Sequence, residues 1–312
     1  MNQYGAKGRA DAGQSYETIL RAYYNFDSLE KVDSVRIRVD GHGGDYSLED
    51  YTKRIYEVPE SWPMESLKAQ AIAARSFALA YTNNGSGSIC DSQDCQVFQE
   101  NEKTGAWKDA VNSTEGIVMK QGGSPIKAWF SSTDGGYTHT SAEVWGGVTG
   151  WTKNVTDTSS GIGSFSELNE RAYDKESKCF YTAQGSRAEY GKSAWLRPSE
   201  VADIANVILL VRKDASNSCF VYQVDKQPPA PSSDCPQTGN WSADEVRTKL
   251  GGDAISSATS VEVSAIDWGA GRTTQIKINN VPFNGDEFKN YFNLRAPKNI
   301  SIVGPLFNVE KR

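Results

Sequence analysis

The chain has 312 residues, long enough to bury a substantial core in one large domain or two. A formal net charge of −6 argues against nucleic acid as the main ligand, and no apolar run is long enough to span a bilayer. The 8 Trp and the high aromatic content suit a neutral or sugar-like ligand, although tryptophans also build cores.

In chain order, residues 1–24 read as a glycine-punctuated loop followed by a short amphipathic helix holding Tyr16, Ile19, Leu20, Tyr23 and Tyr24. The opening MNQYGAKG has no signal-peptide apolar region, which fits either a trimmed piece of an exported protein or a cytosolic chain. Residues 35–39 alternate apolar and charged side chains, the pattern of a half-buried strand, and 41–44 form a Gly-rich turn. Ser47 is placed to cap a helix with Asp50 three residues on, and Tyr51, Ile55 and Val58 continue one face at helical spacing. Pro59 and Pro63 end that helix, and Pro63 opens the next.

The second helix carries Met64, Leu67, Ala71, Ala74, Ala78 and Tyr81 on one stripe, with Lys68, Ile72, Arg75 and Leu79 beside it. A guanidinium flanked by aliphatics needs an anionic partner, and Glu57, at the predicted end of the first helix, is the candidate. A helix C-terminus raises a carboxyl pKa while a nearby arginine lowers it. Such a group is either an acid–base catalyst or an ordinary helix-end ion pair.

Residues 83–88 are a flexible loop. Trp107, Ala110, Val111 and Thr114 predict a helix packed by one face, and residues 116–119 and 126–130 predict strands. Residues 131–138 form a hydroxyl-rich turn whose glycines allow close backbone approach. From 157 to 240 the composition changes, with three of the 5 cysteines and a Pro-rich linker at 227–233. Residues 194–196 and 201–211 still look ordered, so this stretch reads as an insertion. Ser242 and Glu245 mark a helix over 241–250, and strands at 261–263 and 275–278 bracket a turn at 267–272.

Glu57-Val58-Pro59 followed by Trp62-Pro63-Met64-Glu65-Ser66-Leu67-Lys68-Ala69-Gln70-Ala71-Ile72-Ala73-Ala74-Arg75-Ser76-Phe77-Ala78 closely resembles the signature of the stage II sporulation protein D (SpoIID) / LytB amidase-enhancer family. The resemblance implies an α+β fold, with a helical core and antiparallel strands around a substrate groove. It also implies a peptidoglycan lytic transglycosylase, with Glu57 as catalytic acid/base and Arg75 in the groove. Ser131, Ser132 and Thr138 fall on the family's Ser-Gly-Gly-x-Thr loop, with Asp134 where Ser or Cys is usual. Thr138, Trp151 and Lys153 take the groove-lining roles that the family gives a Thr, an aromatic and a Lys.

Asn2-Gln3-Tyr4-Gly5-Ala6 resembles the family's C-terminal tail, found here in front and without the Gly-His-Gly-Val-Gly run that precedes it in relatives. That order implies circular permutation or a misplaced start. Residues 284–292 and 306–309 resemble the family's closing module, a short helix before the last strand. The organisation expected is a catalytic core over 1–156, an insertion over 157–240 and a closing module over 241–312.

The segment with Cys90 and Cys95 resembles a family element in which two Cys and a nearby His bind zinc. Zinc takes about four ligands, and the chain has only His42 and His139, neither within this segment. A Cys90–Cys95 disulfide is the simpler reading, with no cofactor required. The partner implied is a peptidoglycan glycan strand, with a cell-wall amidase as a second, and the compartment implied is extracytoplasmic. Two rivals stand beside the enzyme: a non-catalytic glycan-binding enhancer of an amidase, and a carbohydrate-binding module judged from aromatics alone.

Overall fold

The computed structural model describes residues 1–180 and 195–311. It divides into two compact units, Met1–Tyr181 and Thr182–Arg312. This division departs from the expected one. Residues 157–180 belong with the first unit, while residues 195–240 build their core with residues 241–311 in the second.

The first unit is wrapped around one helix. Its elements run α1 (Gln3–Asp11), α2 (Tyr16–Tyr23), β1 (Ser28–Lys31), β2 (Arg36–Val39), β3 (Asp45–Ser47), α3 (Leu48–Lys53), α4 (Met64–Tyr81), β4 (Ser88–Ile89) and α5 (Gly105–Ser113). They continue through β5 (Ile117–Gln121), β6 (Ser124–Pro125), β7 (Tyr137–Thr138), α6 (Ser141–Trp145), β8 (Val155–Thr156) and α7 (Phe165–Arg171). Three small sheets result: β1-β5-β6, β3-β2-β4 and the pair β7-β8.

Helix α4 has the predicted bounds, with Pro63 in extended backbone just before its first turn. Its alanines let neighbours approach on every side. Ala71, Ala74 and Ala78 face the cluster that holds Trp107, Tyr51 and Ile37, and Ala69, Ile72 and Ala73 face a second cluster with Ile19, Leu20 and Tyr23. A helix buried all round in this way cannot be amphipathic, and it acts as the axle of the unit.

Helix α3 begins as the sequence predicts, with Ser47 accepting a hydrogen bond from the Asp50 N–H at 3.0 Å. It ends at Lys53, well short of Pro59. Ile55 forms an antiparallel bridge with Phe98, and Tyr56 N–H donates to Val97 O at 2.8 Å. Strand-like partners for these backbone groups outcompete the last helical turn.

Two further expectations change. The glycine-punctuated N-terminal loop is the helix α1, capped by Asn2, whose side chain accepts from Gly5 N–H. Gly8 is needed there for contact: a Cβ on it would lie 2.0 Å from Tyr173 O. Residues 126–130 form no strand, and Trp129 N–H turns back to Lys127 O at 2.9 Å. Only Ile126 continues the pairing, through its N–H to Met119 O at 3.1 Å.

The second unit contains α8 (Pro198–Lys213), α9 (Ala243–Leu250), the meander β9 (Val261–Asp267), β10 (Arg272–Ile278), β11 (Val281–Asn284), and α10 (Gly285–Arg295). Ser242 and Glu245 make the predicted capping box. Arg295 is buried and grips Asp203 through two bonds of 2.6 and 3.0 Å, tying α10 to α8. Residues 306–309 form no strand, although Phe307 exchanges two hydrogen bonds with the Thr273 hydroxyl. Of the stretch expected to be ordered at 194–196, residue 194 lies outside the described residues. Cys219 and Cys235 form a disulfide in this unit, and Cys179 of the first unit is an exposed free thiol. Among the described residues, no helix is long and apolar enough to cross a membrane.

Candidate functional site

Glu57 sits in the irregular turn beyond α3, held half-buried by what packs around it. Val97 N–H donates to Glu57 Oε1 at 2.7 Å, and the Gln3 side chain also favours the ionised carboxyl. Burial raises the Glu57 pKa above the ordinary glutamate value, and these two groups oppose the rise. The cause is therefore desolvation, where the sequence pointed to a helix end. A carboxyl in this state holds its proton more readily than a solvated one, yet has the Val97 N–H ready for its ionised form.

The neighbouring side chains come from four segments. Tyr51 of α3 is fully buried and donates to Gln96 Oε1 at 2.7 Å; burial and then the Glu57 charge push its own ionisation up. Tyr4 of α1 packs edge-on against Trp62 at 4.9 Å between centroids, just ahead of α4. Gln70 of α4 meets the Gln3 amide at 3.5 Å. Cys90 and Cys95 are bonded to each other shortly before Val97, Glu57's backbone donor, closing the loop that leads into it.

Arg75 does not partner Glu57. Its fully buried guanidinium grips Glu49 of α3 through two bonds of 2.8 and 2.6 Å. Its remaining donors go to Thr114 Oγ1 at 3.1 Å and Val111 O at 2.7 Å. Arg75 thus pins α3, α4 and α5 together from inside the core, with no surface turned to a groove. The misreading arose because both carboxylates lie in the preceding segment, and spacing along one helix cannot choose between them.

The hydroxyl loop reaches Glu57's surroundings through α1. Ser131 O accepts the Gln3 N–H at 2.9 Å and Ser132 O the Tyr4 N–H at 3.1 Å, while both serines remain exposed. The loop is fixed by Asp174, whose Oδ2 accepts from Thr133 Oγ1 at 2.7 Å, Asp134 N–H at 3.1 Å, Gly136 N–H at 3.3 Å and Asn2 Nδ2 at 2.7 Å. Gly136 has φ +83, and a Cβ there would meet Leu168 at 2.5 Å, so glycine is required on both counts. Asp134 accepts from the Ser131 hydroxyl, and burial raises its pKa to about 6.

Thr138, Trp151 and Lys153 gather on the β7–β8 side. Thr138 Oγ1 donates to Lys153 O at 3.3 Å, Lys153 Nζ to Arg21 O, and Trp151 Nε1 to Lys127 O at 3.0 Å. Their hydrogen bonds lead away from Glu57, to α2, to Lys127 and to one another. Partial burial lowers the Lys153 pKa, with Arg9 adding to the effect. Trp151 lies 5.9 Å from Trp129, which lies 5.1 Å from Trp145, and Trp145 is 64% exposed. Lys127 Nζ stands 4.6 Å over the half-exposed Tyr81 ring.

A depression lined by Tyr56, Pro59, Glu60 and Lys103 lies beside Glu57 in the chain without including it. The cysteine pair does not fit zinc, because each sulfur is spent on the other. Among the described residues, no group of three or more His, Cys, Asp or Glu could hold a metal ion. His42 does reach this region from the β2–β3 turn, with Nε2 3.1 Å from Asp91. Sequence reasoning also missed Gln3. Its signal was there in the Asn-Gln-Tyr-Gly run, but nothing local tied that run to Glu57.

Residues 44–120 match the family model described as stage II sporulation protein, SpoIID. The chain is 40% identical over 89 residues to the amidase enhancer of Bacillus subtilis (strain 168), covering 28% of this chain and 12% of that protein. It is 32% identical over 131 residues to stage II sporulation protein D of the same strain, covering 35% and 38%. An uncharacterized protein of Brachyspira hyodysenteriae is 33% identical over 108 residues, covering 32% and 29%. The aligned stretches span well under half the length of these relatives.

Proposed function

We propose that this chain, whose residues 44–120 match the stage II sporulation protein (SpoIID) family model, is a peptidoglycan lytic transglycosylase with Glu57 as its single acid–base group. The observation that carries the reading is the Glu57 carboxyl, half-buried so that it gives up its proton less readily than a solvated glutamate, with the Val97 N–H in place for its ionised form. Most glycosidases divide the work between two carboxylates. Here one serves twice. Glu57 gives its proton to the oxygen between N-acetylmuramic acid and N-acetylglucosamine as that bond breaks. The resulting carboxylate then takes the proton of the muramyl O6 hydroxyl, which closes on C1 to give the 1,6-anhydro sugar. No water is consumed and no cofactor is invoked.

The exposed Ser131 and Ser132 hydroxyls beside α1 are available to sugar hydroxyls or acetamides. Trp151 with its neighbouring tryptophans supports sugar stacking, and Lys153 and Thr138 supply polar contacts on the same side. Arg75 serves the site from the core, by fixing α3, beyond which Glu57 sits, against α4 and α5. The two disulfides support an oxidising, extracytoplasmic compartment.

The second reading is a non-catalytic glycan-binding enhancer of a cell-wall amidase. It draws on the relative named amidase enhancer. The two separate when the protein is incubated with peptide-stripped glycan strands and the ends are read by mass spectrometry. Anhydro-muramyl ends formed by the wild type and lost in Glu57→Gln support the enzyme. Glycan binding with no new anhydro ends in either protein supports the enhancer.

A further inference from the structure

We propose that the depression between Tyr56, Glu60 and Lys103 is a binding subsite for an uncharged sugar, the N-acetylglucosamine unit next to the muramyl unit on which Glu57 acts. The inference rests on the reading of Glu57 as the group that moves the proton, and adds where a neighbouring sugar is held. The depression measures about 550 Å3, within the range of small-ligand sites. Tyr56 and Pro59, which line it, bracket Glu57 and Val58 in the chain, so a sugar seated there rests on the turn that carries the carboxyl. The walls are fixed before anything binds. Tyr56 N–H donates to Val97 O at 2.8 Å, and its hydroxyl donates to Asn101 O at 3.3 Å. Lys103 N–H donates to Lys53 O at 2.9 Å, and Lys103 Nζ donates to Val58 O while standing 5.4 Å over the Tyr56 ring.

The lining selects against charge in the ligand. Glu102 is matched by Arg54 at 3.3 Å and Lys108 at 3.0 Å, and Lys103 is occupied by Val58 O. An anionic group entering here meets the Glu60 and Glu102 carboxylates, and a cationic one meets the Lys103 ammonium. Hydroxyl and acetamide groups meet neither penalty. Glu60 is exposed and makes no hydrogen bond or ion pair among the described residues, so its carboxylate stays available to accept from such groups. Gly105 keeps the space for it: its φ is +61, and a Cβ there would lie 3.0 Å from Glu60 Oε2. Ser61 and Thr104 add exposed hydroxyls to the lining, while the Tyr56 ring and Pro59 offer apolar surface to the C–H face of a sugar. A muramyl unit would bring its lactyl carboxylate, or the peptide attached there, towards the two glutamates. N-acetylglucosamine brings neither.

The test reads binding apart from turnover. The N-acetylglucosamine tetramer, which has no lactyl group, is titrated into the full chain and followed by backbone-amide NMR and calorimetry. The amide signals of Ser61, Lys103 and Thr104 are expected to move along one saturation curve. Tyr56→Ala, which removes the ring surface, and Glu60→Ala, which removes a charged acceptor, are each expected to weaken the tetramer about tenfold. Tyr56→Phe keeps the ring and should stay within about threefold of the wild type. Because Glu60 is exposed, its replacement should leave the Val97 amide as protected from exchange as before, which separates a lost contact from a loosened turn. Unchanged affinity in both alanine variants overturns the proposal. So do saturating shifts confined to other parts of the chain, or a free stem tetrapeptide that moves Ser61 and Thr104 where the sugar does not. Anhydro ends formed from glycan strands with no tetramer shift at these residues leave the activity standing and refute the subsite. Shifts there without any anhydro product keep the subsite and refute the reading of the activity.

Discussion

Replacing Arg75 by methionine tests whether this residue acts as scaffold or as ligand contact. The side chain is fully buried and makes two bonds to Glu49, one to Thr114 and one to Val111 O. Methionine fills much of the volume but leaves the Glu49 carboxylate with Gly116 N–H, at 2.9 Å, as a remaining donor. Removing one partner of a buried pair costs about 3–5 kcal/mol. Glu49 keeps 19% of its side chain exposed, which places the expected loss near the lower end, about 3 kcal/mol. Removing both charges in Arg75→Met with Glu49→Met should recover part of it, leaving a deficit of about 1–2 kcal/mol from the orphaned Gly116 N–H and Val111 O. Native-state hydrogen exchange of the α4 amides is the suitable assay, since it reports this unit separately from the other. Arg75→Met retaining α4 protection to within about 0.5 kcal/mol while losing turnover would refute the argument and return Arg75 to the substrate.

Four further outcomes are expected. Glu57→Gln abolishes anhydro-sugar formation and also stabilises the fold. Burial has raised the folded-state pKa, so the wild type's proton is favourable to folding below the unfolded midpoint and that benefit is lost as pH climbs through the raised folded one. The variant's advantage should therefore appear only above the ordinary glutamate range and grow with pH in paired urea melts; an advantage that is flat with pH removes the burial argument. Gly8→Ala must move a backbone carbonyl 2.0 Å from its new methyl, at a cost of about 1–3 kcal/mol; thermal unfolding unchanged from wild type contradicts the close packing of α1. Serine at both Cys90 and Cys95 opens a short loop worth about 2 kcal/mol and should deprotect the Val97 amide to exchange; undiminished protection there would separate the disulfide from Glu57's support. In the second unit, Arg295→Met strands the Asp203 carboxylate and should cost about 3–5 kcal/mol, read from exchange of the α8 amides, whereas a near-neutral result would show the pair to be dispensable.

What could be read before folding was local. The bounds of α4, the Ser47 and Ser242 caps, the alternation of β2 and the turn between β9 and β10 are written in neighbouring residues. What escaped depended on segments far apart. The spacing of Ile55 and Val58 is helical, but Phe98 pairs with Ile55 and ends α3 early. Glu49, 26 positions before Arg75, was hidden by the nearer Glu57. Gln3 meets Gln70 across a separation that no periodicity encodes, and Asp157, where an insertion was expected to begin, is buried against Arg9 and Tyr23 at 2.8 and 2.6 Å. Local patterns thus marked the elements, and contacts between distant segments chose their partners.

The carboxylate of Asp174 has a bearing on how the molecule is made. One of its oxygens collects Asn2 from the chain's second position together with the loop at 133–136. During synthesis, α1 therefore has no finished berth until residue 174 has cleared the ribosome. For most of the translation of the first unit, the segment that carries Gln3 waits undocked, and closure over so long a contour is a slow step. The surroundings of Glu57 would then be among the last parts of this unit to assemble, so that a nascent chain arrested before that point carries this carboxyl without its setting.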